Sequence, residues 1–288
     1  MNAKHDTPPS NLRSLQTRID NEASARNQPV RRIMRAVANV AVGQMLPPSV
    51  VKGGTAMKLR VGEPGSRFTP DFDASRPAEI TLDDYIDELA DLLAAGWSGF
   101  TGTVEREDAA TPDGVPTEYV MQPFSIRLAF RGRHWLTVAF ELGHDEIGST
   151  QSHDLRIADD LITLFESLGL ETPAPIPVLA LEHQIAQKLH ACTYVNPKTG
   201  QNDRAHDLVD LQILEQDEAI DMAAVAATAE RLFAARQGHD WPPTVVQYDR
   251  WETIYAEAAT GLDVIADVTE AVIWANDFIA RVVTARGR

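Results

Sequence analysis

The stretch Val50–Asp73, VVKGGTAMKLRVGEPGSRFTPDFD, decides the reading of this chain. It reads as a strand, a glycine turn, a short helix, a loop and a second strand that ends in two carboxylates. Val50 and Val51 are β-branched and suit a strand. Gly53 and Gly54 accept positive φ and leave room for a phosphate or another backbone to come close. Thr55 is placed to cap a helix Ala56–Arg60, where its hydroxyl would join backbone N–H groups that attract anions. Asp71 and Asp73 alternate across Phe72, so on a strand they share one face. Two carboxylates beside a phosphate-binding turn suit Mg2+, a hard cation that takes one or two carboxylates plus substrate phosphates. Either half alone also fits a plain tight turn or a solvated strand end. The specific feature is their order, with Arg67 just before the carboxylates.

In that order these residues resemble the Gly-Gly/Ser…Asp-x-Asp signature of polymerase-β-like nucleotidyltransferases. More narrowly, KGGTAMKLR followed by RFTPDFD is similar to the AbiEii/AbiGii-type (MenT-like) nucleotidyltransferase toxins. The gap from Gly54 to Asp71 is longer than in the general superfamily pattern, and this toxin group often has a longer loop there. The resemblance implies an α/β fold: a polymerase-β-like domain with a mixed sheet, followed by an α-helical lobe, with the active site in the cleft between them. In the superfamily a third carboxylate comes from a neighbouring strand. Glu141 fits, since alternation in Trp135–Leu142 puts it on one face with Ala139 and Thr137; a charge at an exposed strand end is the other reading.

Length and charge bound the rest. The 288 residues suffice for one large domain or two modest ones. No apolar run approaches a membrane span, and MNAKHDTPPSN has no apolar core of a secretory signal, so no membrane association is expected. The single cysteine, Cys192, excludes an intrachain disulfide and fits a reducing cytoplasm, with the thiol as packing. The net charge of −16 argues against general nucleic-acid binding. Residues 1–60, however, hold ten Lys/Arg against three Asp/Glu, a local +7 that leaves −23 on the other 228. That basic segment leads into the glycine turn and could hold triphosphate or an RNA backbone; a basic first helix neutralised by the acidic remainder is equally consistent.

Along the chain, residues 1–9 read as a loose tail and the stretches 11–26 and 30–45 as helices. Thr81-Leu-Asp-Asp opens a helix that runs to Ala95. Strands are expected at Phe100–Glu107, Thr117–Phe130 and Trp135–Leu142, with Asp108–Pro116 as a hairpin loop. After about Ser152 the composition turns helical. ETPAPIPV, with three prolines, reads as a linker, giving domains 1–170 and 171–288. Helices are expected at 159–168, 180–193, 204–215, 219–235, 249–259 and 264–286, the later ones as a bundle.

LEHQIAQKLHACT and DRAHDLVDL hold the remaining candidates. Lys188 lies off the Leu181–Ile185–Leu189 seam, where a solvated charge is the usual reading. The resemblance raises it, because a Glu-x-x-x-Ala-x-Lys-hydrophobic helix recurs in this toxin group; an ammonium there could counter triphosphate charge. Arg204, Asp207 and Asp210 follow at spacings of three, and Arg-x-x-Asp-Leu-x-Asp-Leu resembles the last family motif. Asp207 is the first choice for the functional aspartate and Asp210 the second, acting as a general base on a 3′-hydroxyl or orienting the lysine. A surface Arg–Asp pair is the bland alternative. His183, His190 and His206 match no zinc spacing and read as surface or nucleotide-edge residues. Trp241, Trp251 and Trp274 read as packing.

The resemblance therefore implies nucleotidyl transfer, with Asp71, Asp73 and Glu141 on Mg2+ and Gly53, Gly54 and Thr55 seating phosphates. Lys52, Arg60, Arg67 and Lys188 would counter the triphosphate of an NTP. The implied acceptor is the 3′ end of tRNA, the consequence a block of translation, and the restraint a protein antitoxin or modification near Thr69. Transfer to a small-molecule or protein hydroxyl, and a degenerate partner-binding protein, are the alternatives.

Overall fold

The computed structural model describes residues 7–109 and 120–286. The expected tip of the hairpin loop and residues 117–119 of the expected long strand lie outside them, as does most of the expected tail. The elements in order are α1 (Leu12–Ala25), α2 (Val30–Gly43), β1 (Val50–Lys52), α3 (Gly53–Val61), β2 (Asp71–Ser75), α4 (Leu82–Ala95), β3 (Phe100–Arg106), β4 (Gln122–Phe130), β5 (Arg133–Gly143), β6 (His153–Arg156), α5 (Asp159–Leu168), β7 (Ile176–Leu179), α6 (Leu181–Thr193), α7 (His206–Asp217), α8 (Met222–Arg236), α9 (Trp251–Ala259) and α10 (Val268–Ala285). No helix among the described residues is long and apolar enough to cross a membrane.

The chain divides into two compact units. One comprises Met1–Glu63, Phe68–Asp145 and His153–Val178; the other comprises Pro64–Arg67, Glu146–Ser152 and Leu179–Arg288. The division falls at 178/179 rather than 170/171, and two short loops belong with the helical unit. The cause is β7. ETPAPIPV is not a linker: Ile176 and Val178 are buried, and Val51 pairs with Val178 in parallel. The other strand not foreseen in the reputedly helical half is β6, four residues without apolar alternation.

The first unit is a mixed sheet in the order β3-β4-β5-β2-β1-β7-β6. β1 and β2 are antiparallel, β2 and β5 parallel, and β3-β4-β5 an antiparallel meander. Its core is apolar and contiguous, from Leu15, Ile33 and Val37 on α1 and α2 through Phe72, Phe124, Ile126 and Phe140 on the strands to Leu164 and Phe165 on α5. Local chemistry starts the helices. The Asn11 side chain caps α1 by accepting from Ser14 N at 3.0 Å, and Thr81 Oγ1 caps α4 by accepting from Asp84 N at 3.2 Å. The second unit is helical, with α6 packed on α7 and α8, and α10 on α8 and α9. Trp251 is fully buried, and Trp274 stacks on Phe278.

Candidate active site

Strand register builds the first set of site residues. Lys52 on β1 pairs with Asp73 on β2, and Asp73 pairs with Glu141 on β5, so the three form a row across the sheet. Asp71 stands two residues before Asp73 and therefore on the same face, opposite Ala139. Asp71 is exposed, whereas Asp73, Glu141 and Lys52 are half-buried. Burial, and then the charge of Asp71, push the Glu141 carboxyl above its ordinary range, against the opposing pull of Lys52. Lys52 Nζ also lies 3.1 Å from Met121 Sδ.

The glycine turn fits this row by lacking side chains. α3 begins at Gly53, three residues earlier than the expected Ala56. Gly53 has φ 63°, and a Cβ there would collide with Oδ2 of Asp73. The Asp73 carboxylate thus sits at the N-terminus of α3, where the helix dipole favours an anion. Gly53→Ala is expected to destabilise the fold by about 1–2 kcal/mol through the left-handed backbone alone and to displace Asp73 as well. Thermal unfolding and a metal-dependent nucleotide titration of the variant check both effects.

Because the helix starts early, Thr55 is not its cap. Its buried hydroxyl donates to the Asp71 carbonyl at 3.1 Å and accepts from Asn39 Nδ2 on α2 at 3.1 Å. Thr55 therefore ties α2 to the strand that carries Asp71, with its hydroxyl bonded inside the fold rather than turned outward as expected for seating phosphate. Thr55→Val should cost roughly 1–3 kcal/mol, because it leaves the Asn39 amide without its acceptor, and Thr55→Ser should restore most of it; denaturant unfolding of the pair separates the two. Asn39 was not foreseen, although a lone amide within the apolar run VANVAVG is the signal that marks it. Thr69 is also buried, its side chain filling the space beside Gly54.

The second set lies in the helical unit. Lys188 on α6 is buried, not solvated, because His183–Ala186 and Leu189–His190 are buried around it. Its Nζ donates to Asp207 Oδ1 at 3.2 Å and to Asp210 Oδ2 at 2.5 Å, both on α7. Arg67 Nε lies 3.1 Å and 3.2 Å from the two oxygens of Asp210, and Arg204 Nε donates to Asp207 Oδ2 at 2.8 Å. Two fully buried carboxylates thus alternate with three cations, which is not the surface pair of the bland reading. Burial alone would raise the Asp207 carboxyl; Lys188, then Arg204, outweigh it and hold the group well below the ordinary carboxylate range. Asn202 aligns the two helices. Its amide donates to the carbonyls of Ala191 and Tyr194 at 2.8 Å and 2.7 Å, and its Oδ1 accepts from Arg204 N at 2.6 Å.

Other expectations change. Arg60 is not poised for triphosphate; its side chain has no exposed surface and pairs with Asp154 at 2.5 Å. His183 and His190 are buried rather than at the surface, and burial lowers His190 to about 3. His206, beside Asp207, is lowered to about 4, by burial first and by Arg67 and Arg204 against the pull of Asp207. Cys192 is buried packing, as read from its apolar surroundings.

As a metal centre, the first set offers only oxygen donors, the chemistry that suits Mg2+. Among the described residues no three His, Cys, Asp or Glu side chains are grouped closely enough to hold a metal ion by themselves. Asp71, Asp73 and Glu141 share a face without closing a ligand set. That fits an ion held by one or two carboxylates and completed by substrate phosphates. A cation there would also offset the Asp71 charge, which adds to burial in raising Glu141.

The sequence profile of the family described as nucleotidyl transferase AbiEii toxin, type IV TA system, matches residues 32–273. Among solved structures the chain is similar to MenT4, a nucleotidyltransferase toxin from Mycobacterium tuberculosis H37Rv, with 20% identity over 94% of this chain and 98% of that one and a TM-score of 0.51. At that identity the likeness concerns the fold alone. JHP933 from Helicobacter pylori matches with 16% identity, 88% and 91% coverage and a TM-score of 0.46. No curated protein matches the chain. The profile match covers most of the sequence, so the chain belongs to the AbiEii nucleotidyl transferase toxin family.

Proposed function

We propose, with that membership as the premise, that this chain is the toxin of a toxin–antitoxin pair and transfers nucleotides from an NTP to the 3′ end of tRNA. The observation that carries the reading is the row Lys52–Asp73–Glu141 with Asp71 on the same face beside the glycine turn. Asp71 and Asp73, with Glu141 beside them, would hold Mg2+, which when bound polarises the reacting phosphate and favours the ionised acceptor hydroxyl. Lys52 would offset phosphate charge at the edge of the row. Gly53 and Gly54, expected to seat phosphate, would serve by leaving room for the Asp73 carboxylate and for Thr69 beside the row.

Lys188, and with it Arg67, would meet the triphosphate charge that builds on the leaving pyrophosphate. Asp207 fits the orienting role better than the general-base role. It is fully buried, both of its oxygens already accept from cations, and its carboxyl is held in the ionised form. A base must take a proton near the working pH, and this group is far from doing so. Extension of the tRNA end would stop aminoacylation and hence translation, in the cytoplasm, until an antitoxin protein restrains the chain.

The test is incubation of the protein with total tRNA, Mg2+ and each α-labelled NTP in turn. Label that enters tRNA, and is absent when the 3′-terminal diol has been destroyed by periodate, supports the reading and names the donor. Label that appears in no RNA although the NTP is consumed would transfer the chemistry to a small-molecule or protein hydroxyl.

A further inference from the structure

The basic segment that leads into the glycine turn is not one uniform surface. Arg26 pairs with Glu22 at 3.1 Å, Arg32 and Lys58 with Glu63, and Arg60 with Asp154. Arg18 donates to the carbonyls of Thr7 and Leu168 at 2.8 Å and 2.7 Å. Arg31 and Arg35 differ. They sit one turn apart on α2, and among the described residues neither forms an ion pair with a carboxylate. The Arg31 guanidinium lies over the Phe68 ring, 5.3 Å from its centre. Arg35 Nη1 makes a long 3.5 Å contact with the carbonyl of Thr137, two residues before Ala139, the strand partner of Asp71.

Like charges one helical turn apart repel and destabilise a helix. In a chain of net charge −16, acidic side chains to neutralise them are abundant. Arg35 is half-buried, the neighbouring Arg31 works against its charge, and the carboxylate acting in its favour is Asp71. Arg31 and Arg35 share one side of α2, each acts on the other's charge, and Arg35 lies near the Asp71 end of the row, so an anion would be attracted to this side of the helix. Their planar forks match phosphate oxygens, and the partial burial of Arg35 strengthens the attraction there.

We propose that Arg31 and Arg35, flanked by Phe68, form a phosphate-binding clamp at the Asp71 end of β2. The proposal rests on the nucleotidyl-transfer reading for the identity of the substrate that brings the phosphate. Two sources share this chemistry: the triphosphate of the donor and the backbone of the acceptor RNA. In either case the clamp offsets the repulsion that Asp71 and Asp73 exert on an incoming phosphate.

Equilibrium binding of two probes by the full chain tests it: tripolyphosphate with Mg2+, and a single-stranded oligoribonucleotide without terminal phosphates. The Arg31→Ala/Arg35→Ala variant should bind one probe at least about tenfold more weakly, and Arg31→Lys/Arg35→Lys should recover part of the loss. Loss of tripolyphosphate binding assigns the clamp to the donor. Loss of oligoribonucleotide binding, with a shallower salt dependence, assigns it to the acceptor backbone. The thermal midpoint should hold or rise, since a repulsion is removed. Binding of both probes within twofold of the wild type, or of neither probe by the wild type, overturns the clamp. Failure of the transfer reading shows separately, as no incorporation of label from any NTP by the wild type.

Discussion

Asp73→Asn is expected to lower nucleotide transfer about a thousandfold or more while leaving the thermal midpoint within a few degrees of wild type. The side chains are isosteric, and Asp73 is half-buried, so packing changes little. What changes is charge. Asp73 stands between Lys52 and Glu141 in the row and lies against the N-terminus of α3. An amide cannot supply the anionic oxygen that a hard cation requires. Loss of metal-borne stabilisation on the order of 4 kcal/mol corresponds to that factor. Asp71→Asn should behave alike. Glu141→Gln should cost less, because burial and Asp71 already favour its protonated form. Label incorporation per unit time, with circular dichroism as the check on folding, measures the ranking.

Lys188→Met carries the second large effect, on stability and activity together. The substitution keeps the bulk of the side chain and removes the cation that touches both Asp207 and Asp210. Removing one partner from a buried ion network leaves charge without compensation and costs about 3–5 kcal/mol. Arg204 and Arg67 still reach the two carboxylates, which places the expected cost toward the lower end. Asp207→Asn separates orientation from base catalysis. The folded carboxyl lies below its ordinary 3.8, so its stabilising contribution is complete above that pH and is lost only as pH falls through the depressed value. An orienting Asp207 therefore leaves the acid limb of the rate profile between pH 5 and 8 unaltered in shape. A base would make that limb vanish in Asp207→Asn.

Much of this was legible in the sequence because it lay in short-range chemistry. Asp71 and Asp73 share a face by strand period alone, and Gly53 marks a positive φ that the backbone adopts. The resemblance reached Lys188, Asp207 and Asp210, which meet at 2.5 Å and 3.2 Å. Partners distant in sequence were not legible. Nothing local says that Arg60 will meet Asp154, or that Thr55 will bridge Asn39 and the Asp71 carbonyl. Three prolines in ETPAPIPV argue for a break, yet Ile176 and Val178 bring enough apolar surface to seat β7 beside β1. The burial of Lys188 was hidden for the same reason: an apolar seam on one face of α6 does not show that the other faces are covered too.

Pyrophosphate release from an NTP with Mg2+ and total RNA, followed for the wild type beside Asp71→Asn and Asp73→Asn, decides whether the carboxylate row carries out transfer. Release should require the metal, equal the nucleotide incorporated, and be lost in both variants. Release that persists in either variant refutes the assignment of Asp71 and Asp73, and no release with any NTP refutes nucleotidyl transfer itself.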